Sequence, residues 1–427
     1  MNVLIKNGRI VTASGERLSD VLISGTIVAE VGASLSPPDG CQVLDASGCV
    51  VSPGFVDLHT HMREPGREEA ETIETASRAA AKGGYTCVVA MPNTDPAQDS
   101  VAVVEFVKLQ GERAGLCDVR PSGCITLGRL GETLVPFGAL QAAGVHVFTD
   151  DGTGVQNHTL MRRAMEYAKD LGIVLAQHCE IASMTEGAVM HEGSCCSHLG
   201  LPGWPALAEE LMVYRDIELC RITGARVHIL HLSTARSVEL VRAAKADGLP
   251  ITAEATPHHI SLTDEQLRGF DPLFKVNPPL RTRADIEALK RGLKDGTIDA
   301  IATDHAPHAP HTKELALDAA PPGMLGLETA LGVVLAETDL SLAEVIDRMS
   351  VAPARIAGVA DQHGCEVAAG SPANITVFDP EITWSVVPEE LASKSRNTPY
   401  VGRTLKGRVR HTILRGEAVV VDGEAKK

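Results

Sequence analysis

The chain has 427 residues, of which 44% are hydrophobic and 22% charged, and a formal net charge of −16. That length supports a large core, and the acidity argues against a general nucleic-acid or anionic-membrane surface while allowing a local cationic pocket for an anionic substrate. No window approaches the roughly 18 uninterrupted apolar residues of a membrane span, no basic-then-apolar leader opens the sequence, and the cysteines form no CxxC pair, so a cytoplasmic protein with reduced, mostly buried thiols is expected.

In chain order, residues 1–52 contain VLIKNGRIVT, DVLISGTIVAEVG and QVLDASGCVV, strand-like runs with Gly, Asn and Asp turns and no long helix. Residues 53–365 change character. The runs GFVDLHTH, GYTCVVAMPN, DVRPSGCITL, GVHVFTDD, GIVLAQHC, ARVHILHLS, PITAEATPHH and DAIATDHAP alternate with segments such as LMRRAMEYAKDLG and RADIEALKRGLKDG, whose apolar residues recur at three-to-four spacing. Eight strand–helix units predict a (β/α)8 barrel, in which reacting residues sit at the C-terminal ends of the strands. Residues 366–427 return to short strands in ANITVFDP, TLKGRVRHTILRG and EAVVVDG. The two ends are expected to pair into one small β-sandwich domain beside the barrel.

The first barrel run ends in His59 and His61, two residues apart and therefore on one face of a strand, followed by the polar loop Met62-Arg63-Glu64-Pro65-Gly66. The fourth run ends in Asp150-Asp151; either could point inward, because a one-residue register error exchanges the faces. His178 closes the fifth run and His231 the sixth, whereas His228, three residues earlier, reads as a packed or partly exposed side chain. Asp304 ends the eighth run, and its carboxylate can touch a metal and take a proton from water. His305 and His308 follow in the loop; His308 is a candidate substrate contact, and His305 is either structural or part of the site. Four histidines at the ends of three strands, with Asp304 and a bridging carboxylate, describe a binuclear metal site suited to zinc or a similar ion.

These positions resemble the amidohydrolase superfamily and, within it, the class I dihydroorotases. The resemblance runs end to end and rests on PGFVDLHTHMREPG, AMPNT, FTDDG, LAQHCE, LHLST, KVNPPLR, ATDHAPH and PPGMLGLETA. It implies two zinc ions per subunit, one held by His59, His61 and Asp304 and the other by His178 and His231, with Asp151 and a hydroxide between them. Many relatives bridge with a carbamylated lysine; VHVFTDDG has none, which implies the carboxylate-bridged subgroup. It further implies that His61, Arg63, Asn93, Asn277, His308, Pro322 and Gly323 contact substrate, Arg63 and Asn93 at its carboxylate. A loop salt bridge from Arg63 to Glu64 or Glu68 is the plainer alternative.

The implied reaction is reversible hydrolysis of (S)-dihydroorotate to N-carbamoyl-L-aspartate in pyrimidine biosynthesis, with the hydroxide attacking the carbonyl and Asp304 as general acid and base. The resemblance is compatible with a homodimer and with a complex with aspartate carbamoyltransferase. Two other readings compete. A hydantoinase or allantoinase would share the barrel and the histidine pair, and the absent lysine and the presence of Arg63 with Asn93 disfavour it. A non-catalytic scaffold for the transferase is disfavoured because every expected ligand position is filled. The segment HTKELALDAAPPG is a candidate mobile loop over the site.

Overall fold

The computed structural model describes residues 2–12 and 15–426. Its centre is a ring of eight parallel strands: Phe55–Thr60, Tyr85–Ala90, Asp118–Pro121, Val147–Phe148, Val174–Gln177, Arg226–Ile229, Ile251–Ala255 and Ala300–Ile301. The first three strands form one ladder and the last five another. Two isolated parallel bridges, Gly123 with Phe148 and Thr60 with His305, join the ladders into a closed barrel. Asp57 reinforces the second junction by accepting the Thr303 amide at 2.8 Å, which ties the first strand to the eighth just below the mouth.

The strands are apolar because both faces are covered, by the barrel interior and by the outer helices. Cap chemistry sets the helix limits. In His158–Leu171, Asn157 accepts the Leu160 amide at the start, and Gly172 ends the helix at φ 67, in the left-handed region open to glycine, so that the chain enters the fifth strand two residues later. Arg283–Asp295 starts with a Thr282–Asp285 capping box and ends at Gly296 in the same conformation. The fourth and eighth strands are shorter than their apolar runs suggest. Beyond Phe148 and Ile301 the chain leaves the ladder, and its backbone turns toward the mouth where the carboxylates of Asp151 and Asp304 are needed.

Both ends of the chain form the satellite, a nine-stranded sheet in which Val50–Pro53 pairs antiparallel with Ile375–Ser385. The sheet curls so that its remote parts meet: Val28 donates to the Ser371 carbonyl at 2.9 Å, and Gly416 packs on Gly25. Val3, Ile23, Val28, Ile375, Val377 and Ile413 share its core. Val50–Pro53 continues through Gly54 directly into the first barrel strand, so the satellite braces the strand that carries His59. From its C-terminal part, residues 391–398 reach back over the barrel as a strap. All ten cysteines are unpaired and eight are buried. Among the described residues no helix is long and apolar enough to cross a membrane.

Candidate metal centre and substrate cleft

Asp151 lies at the centre of the mouth. Its Oδ1 is 3.4 Å from His59 Nε2, 3.6 Å from His178 Nδ1 and 3.7 Å from His231 Nε2, while Oδ2 is 3.5 Å from His61 Nε2. Asp304 Oδ1 faces the same pair from the eighth strand, 3.1 Å from His61 Nε2 and 3.5 Å from His59 Nε2. Asp150 points elsewhere: it accepts the amides of Ile125 and Thr126 at 2.8 and 3.1 Å and the Thr126 hydroxyl, shaping the third loop. The two aspartates, which follow the end of the fourth strand at Phe148, therefore point to different places, Asp150 into the third loop and Asp151 into the mouth.

Side chains behind the histidines fix their rings. Glu254 takes His59 Nδ1 at 2.9 Å, Asn93 Oδ1 takes His61 Nδ1 at 2.9 Å, and Glu180 takes His178 Nε2 at 2.8 Å. With those nitrogens engaged, His59 Nε2, His61 Nε2 and His178 Nδ1 face the centre, where His178 Nδ1 lies 2.9 Å from His231 Nε2. His231 and Asp304 adopt positive φ, 30° and 45°, an uncommon backbone conformation for these residues that turns both side chains inward.

The donor set fits a divalent metal. His59 Nε2 is fully buried and has no hydrogen-bond partner, which is costly unless something binds there. Ligand atoms of His59, His61 and Asp151, and of Asp151, His178 and His231, lie within 4.8 Å of one another, and all these residues are buried. Electrostatics point the same way. Burial alone would depress the His59 imidazole, yet Asp151 and Asp304 hold it well above its ordinary value; burial would raise Asp304, yet His59 and His61 hold it far below the usual carboxylate range. The cluster demands positive charge, which protons or a metal can supply.

Beside this centre opens a cleft of about 220 Å³, lined among others by Arg63, Asn93, Asn277, His308, Pro322 and Gly323. Arg63 does not pair with Glu64 or Glu68, which instead accept the amides of Ile73 and Gly66 at 2.8 Å each. It is buried, its Nε donates to the Pro307 carbonyl at 3.0 Å and its Nη2 lies 3.4 Å from His308 Nε2. Among the described residues no carboxylate lies within ion-pair distance of it, and burial with Arg67 nearby pushes its pKa down to about 10, so it stays cationic. Burial, Arg63 and Lys313 push His308 down to about 2, which leaves it a neutral ring against the Pro322 carbonyl at 2.8 Å. At Gly323, φ is 139° and a Cβ would stand 2.7 Å from His308 Nε2; only glycine lets this backbone approach.

The loop that brings Pro322 and Gly323 is staked by two lysines. Lys275 donates to the carbonyls of Leu317 and Asp318 at 2.8 and 3.0 Å, and Lys313 to those of Pro272 and Pro321 at 3.0 and 2.8 Å. Asn397, from the strap, completes the support: its amide donates to the Ala306 and Gly323 carbonyls and its oxygen accepts the His308 amide at 3.1 Å. His305 falls outside the cleft. Its Nδ1 accepts the Gly326 amide at 3.2 Å and its Nε2 faces Glu71 at 3.6 Å, a structural placement.

Sequence reasoning missed Glu254, Glu180, Arg67 and Asn397. Glu180 carried a usable signal, since it follows His178 by two residues. Glu254 interrupts the otherwise small and apolar run ITAEA, and a charge there is a buried charge if the strand is central. His228, taken as packed or partly exposed, is buried and bridges Glu254 to Thr252.

A Dihydro-orotase-like family model matches residues 48–237. Over essentially the whole chain, the sequence is 53% identical to a dihydroorotase of Streptomyces coelicolor across 427 residues, with 99% of each protein covered. It is 50% identical to one of Mycobacterium tuberculosis across 430 residues, again with 99% of each covered. Among solved structures, L-hydantoinase (dihydropyrimidinase) from Arthrobacter aurescens superposes with a TM-score of 0.89 at 26% identity, covering 100% of this chain and 97% of that one. D-hydantoinase (dihydropyrimidinase) from Thermus sp. gives 0.84 at 27% identity, with 99% and 96% covered.

Proposed function

This chain belongs to the dihydroorotase family, and from that premise we propose how its buried histidines, carboxylates and arginine divide the work of opening and closing a cyclic amide. It is a dihydroorotase of pyrimidine biosynthesis, interconverting (S)-dihydroorotate and water with N-carbamoyl-L-aspartate.

His59, His61 and Asp304 would hold one divalent ion and His178 and His231 a second, with Asp151 shared between them; mixed imidazole and carboxylate donors suit zinc, and would also accept manganese or cobalt. Ions bound there would polarise the amide carbonyl and make a water nucleophilic near neutral pH.

The remaining work belongs to side chains. Arg63 pairs with the substrate carboxylate, assisted by Asn93 and His308, and His61, Asn277 and the backbone at Pro322–Gly323 flank the ring. Asp304 takes the proton from the attacking water and passes it to the ring nitrogen as the carbon–nitrogen bond breaks. In ring closure Asp304 removes a proton from the carbamoyl nitrogen, that nitrogen attacks the side-chain carboxylate carbon, and one carboxylate oxygen leaves as water, carrying the proton that Asp304 returns and a second one taken up from solvent. The unpaired thiols favour a reducing, cytoplasmic location.

One observation carries the substrate assignment: Arg63 is a buried cation with no acidic partner at ion-pair distance among the described residues, placed at the edge of the metal-type centre. The test is turnover of dihydroorotate, hydantoin and allantoin by the purified protein, with its metal content measured on the same sample. Dihydroorotate should be turned over far faster than the other two, with two zinc ions per chain; faster hydrolysis of hydantoin or allantoin would overturn the assignment.

A further inference from the structure

We propose that Glu254 is the positioning residue of the metal centre: a buried carboxylate that aims His59, braces the backbone of His231 and supplies negative charge behind both ion positions. The inference rests on the metal-site reading above and adds a residue that itself faces neither ion position.

Glu254 lies in the seventh barrel strand and is fully buried. Its two oxygens accept from three donors, one on the first barrel strand and two on or just beyond the sixth. Oε1 takes His59 Nδ1 at 2.9 Å and the His231 amide at 3.3 Å; Oε2 takes His228 Nε2 at 3.0 Å. His228 is oriented in turn by Thr252 Oγ1, 2.8 Å from its Nδ1. The chain Thr252–His228–Glu254–His59 thus links the sixth and seventh strands to the first and ends on His59 Nε2, which has no hydrogen-bond partner.

Three physical consequences follow. A carboxylate that accepts from Nδ1 requires the proton on that nitrogen, so the neutral ring presents its Nε2 lone pair to the centre. The His231 amide, at a residue with φ of 30°, is paired with Glu254, and this contact holds an uncommon conformation that points the second-site ligand inward. Finally, two divalent ions bring more positive charge than Asp151 and Asp304 balance, and Glu254, behind His59, is one of the two carboxylates among the described residues that stand one imidazole away, the other being Glu180 behind His178. An alternative structural role, a buried ion pair with His228, would leave metal affinity untouched.

The experiment strips the full-length protein of metal and titrates it with zinc against a chromophoric chelator, comparing wild type with Glu254→Gln, Glu254→Asp and His228→Gln; circular dichroism establishes folding. Wild type should bind two zinc ions. Glu254→Gln, which keeps the size and loses the charge, should bind about 10- to 100-fold more weakly. Glu254→Asp, too short to reach both His59 and His228, should also weaken binding, and His228→Gln should do so by less. At saturating zinc, Glu254→Gln should recover most of its turnover with an unchanged KM. Zinc affinity within twofold of wild type for folded Glu254→Gln or Glu254→Asp would overturn the proposal while leaving the metal-site reading intact. Failure of the wild type to bind zinc would overturn both.

Discussion

Arg63 and His308 stand 3.4 Å apart at the cleft wall, and their opposite protonation tendencies are set by the same burial. A guanidinium loses little by burial because its ordinary value is so high, whereas an imidazole beside it is driven neutral, so of this pair Arg63 remains the cation that can receive an anion. Replacing Arg63 by Gln should therefore raise KM for dihydroorotate by about 10- to 100-fold, the 1.5–3 kcal/mol of a charge-assisted contact, with a smaller fall in kcat. Steady-state kinetics at saturating zinc check this; an unchanged KM would remove Arg63 from substrate binding. Legibility at this scale depended on position along a run. His59, His61, His178, His231 and Asp304 could be read because each ends an apolar segment, whereas Glu254 sits inside one, where spacing does not distinguish a buried anion from a solvated side chain.

The strap formed by residues 391–398 is the least legible element. It lies between two satellite strands and reads as polar loop, yet it supports the barrel mouth. Glu328 accepts the amides of Ala392 and Ser393 at 2.8 and 3.4 Å, Glu71 accepts the Lys394 amide at 2.9 Å, and Ser395 donates to the Ala70 carbonyl at 2.6 Å. Asn397 then reaches His308 and Gly323. No periodicity encodes such a connection, because its hydrogen bonds run to distant backbone. It has a pH signature. Burial pushes Glu328 up to about 7, so the folded protein favours its protonated form; the stability this contributes is full below about pH 4.5 and is lost as pH rises through 7. The side chain keeps some solvent contact, which limits the effect to about 1–2 kcal/mol. Thermal unfolding of metal-loaded protein should show wild type losing stability relative to Glu328→Gln between about pH 5 and 8; parallel profiles would refute the assignment.

For the molecule as a whole, the eight-unit alternation was legible because parallel strands buried on both faces leave unbroken apolar runs separated by amphipathic helices. The closure was less so: it depends on single bridges at Gly123 and His305, and the fourth and eighth strands contribute only two ladder residues each before turning into the site. The same departure from the ladder that hides those strands brings Asp151 and Asp304 to the histidines, so fold and chemistry meet at the barrel mouth. The satellite supports this arrangement from both sides, through the continuous strand into His59 and the strap onto His308. We propose that the assembled mouth runs the dihydroorotase reaction with Asp304 moving the proton. Turnover of dihydroorotate by Asp304→Asn, measured against wild type on folded and zinc-supplemented protein, tests it most directly. A loss of at least about a thousandfold in kcat is predicted, combining general acid–base catalysis with a missing ligand; turnover within tenfold of wild type would contradict it.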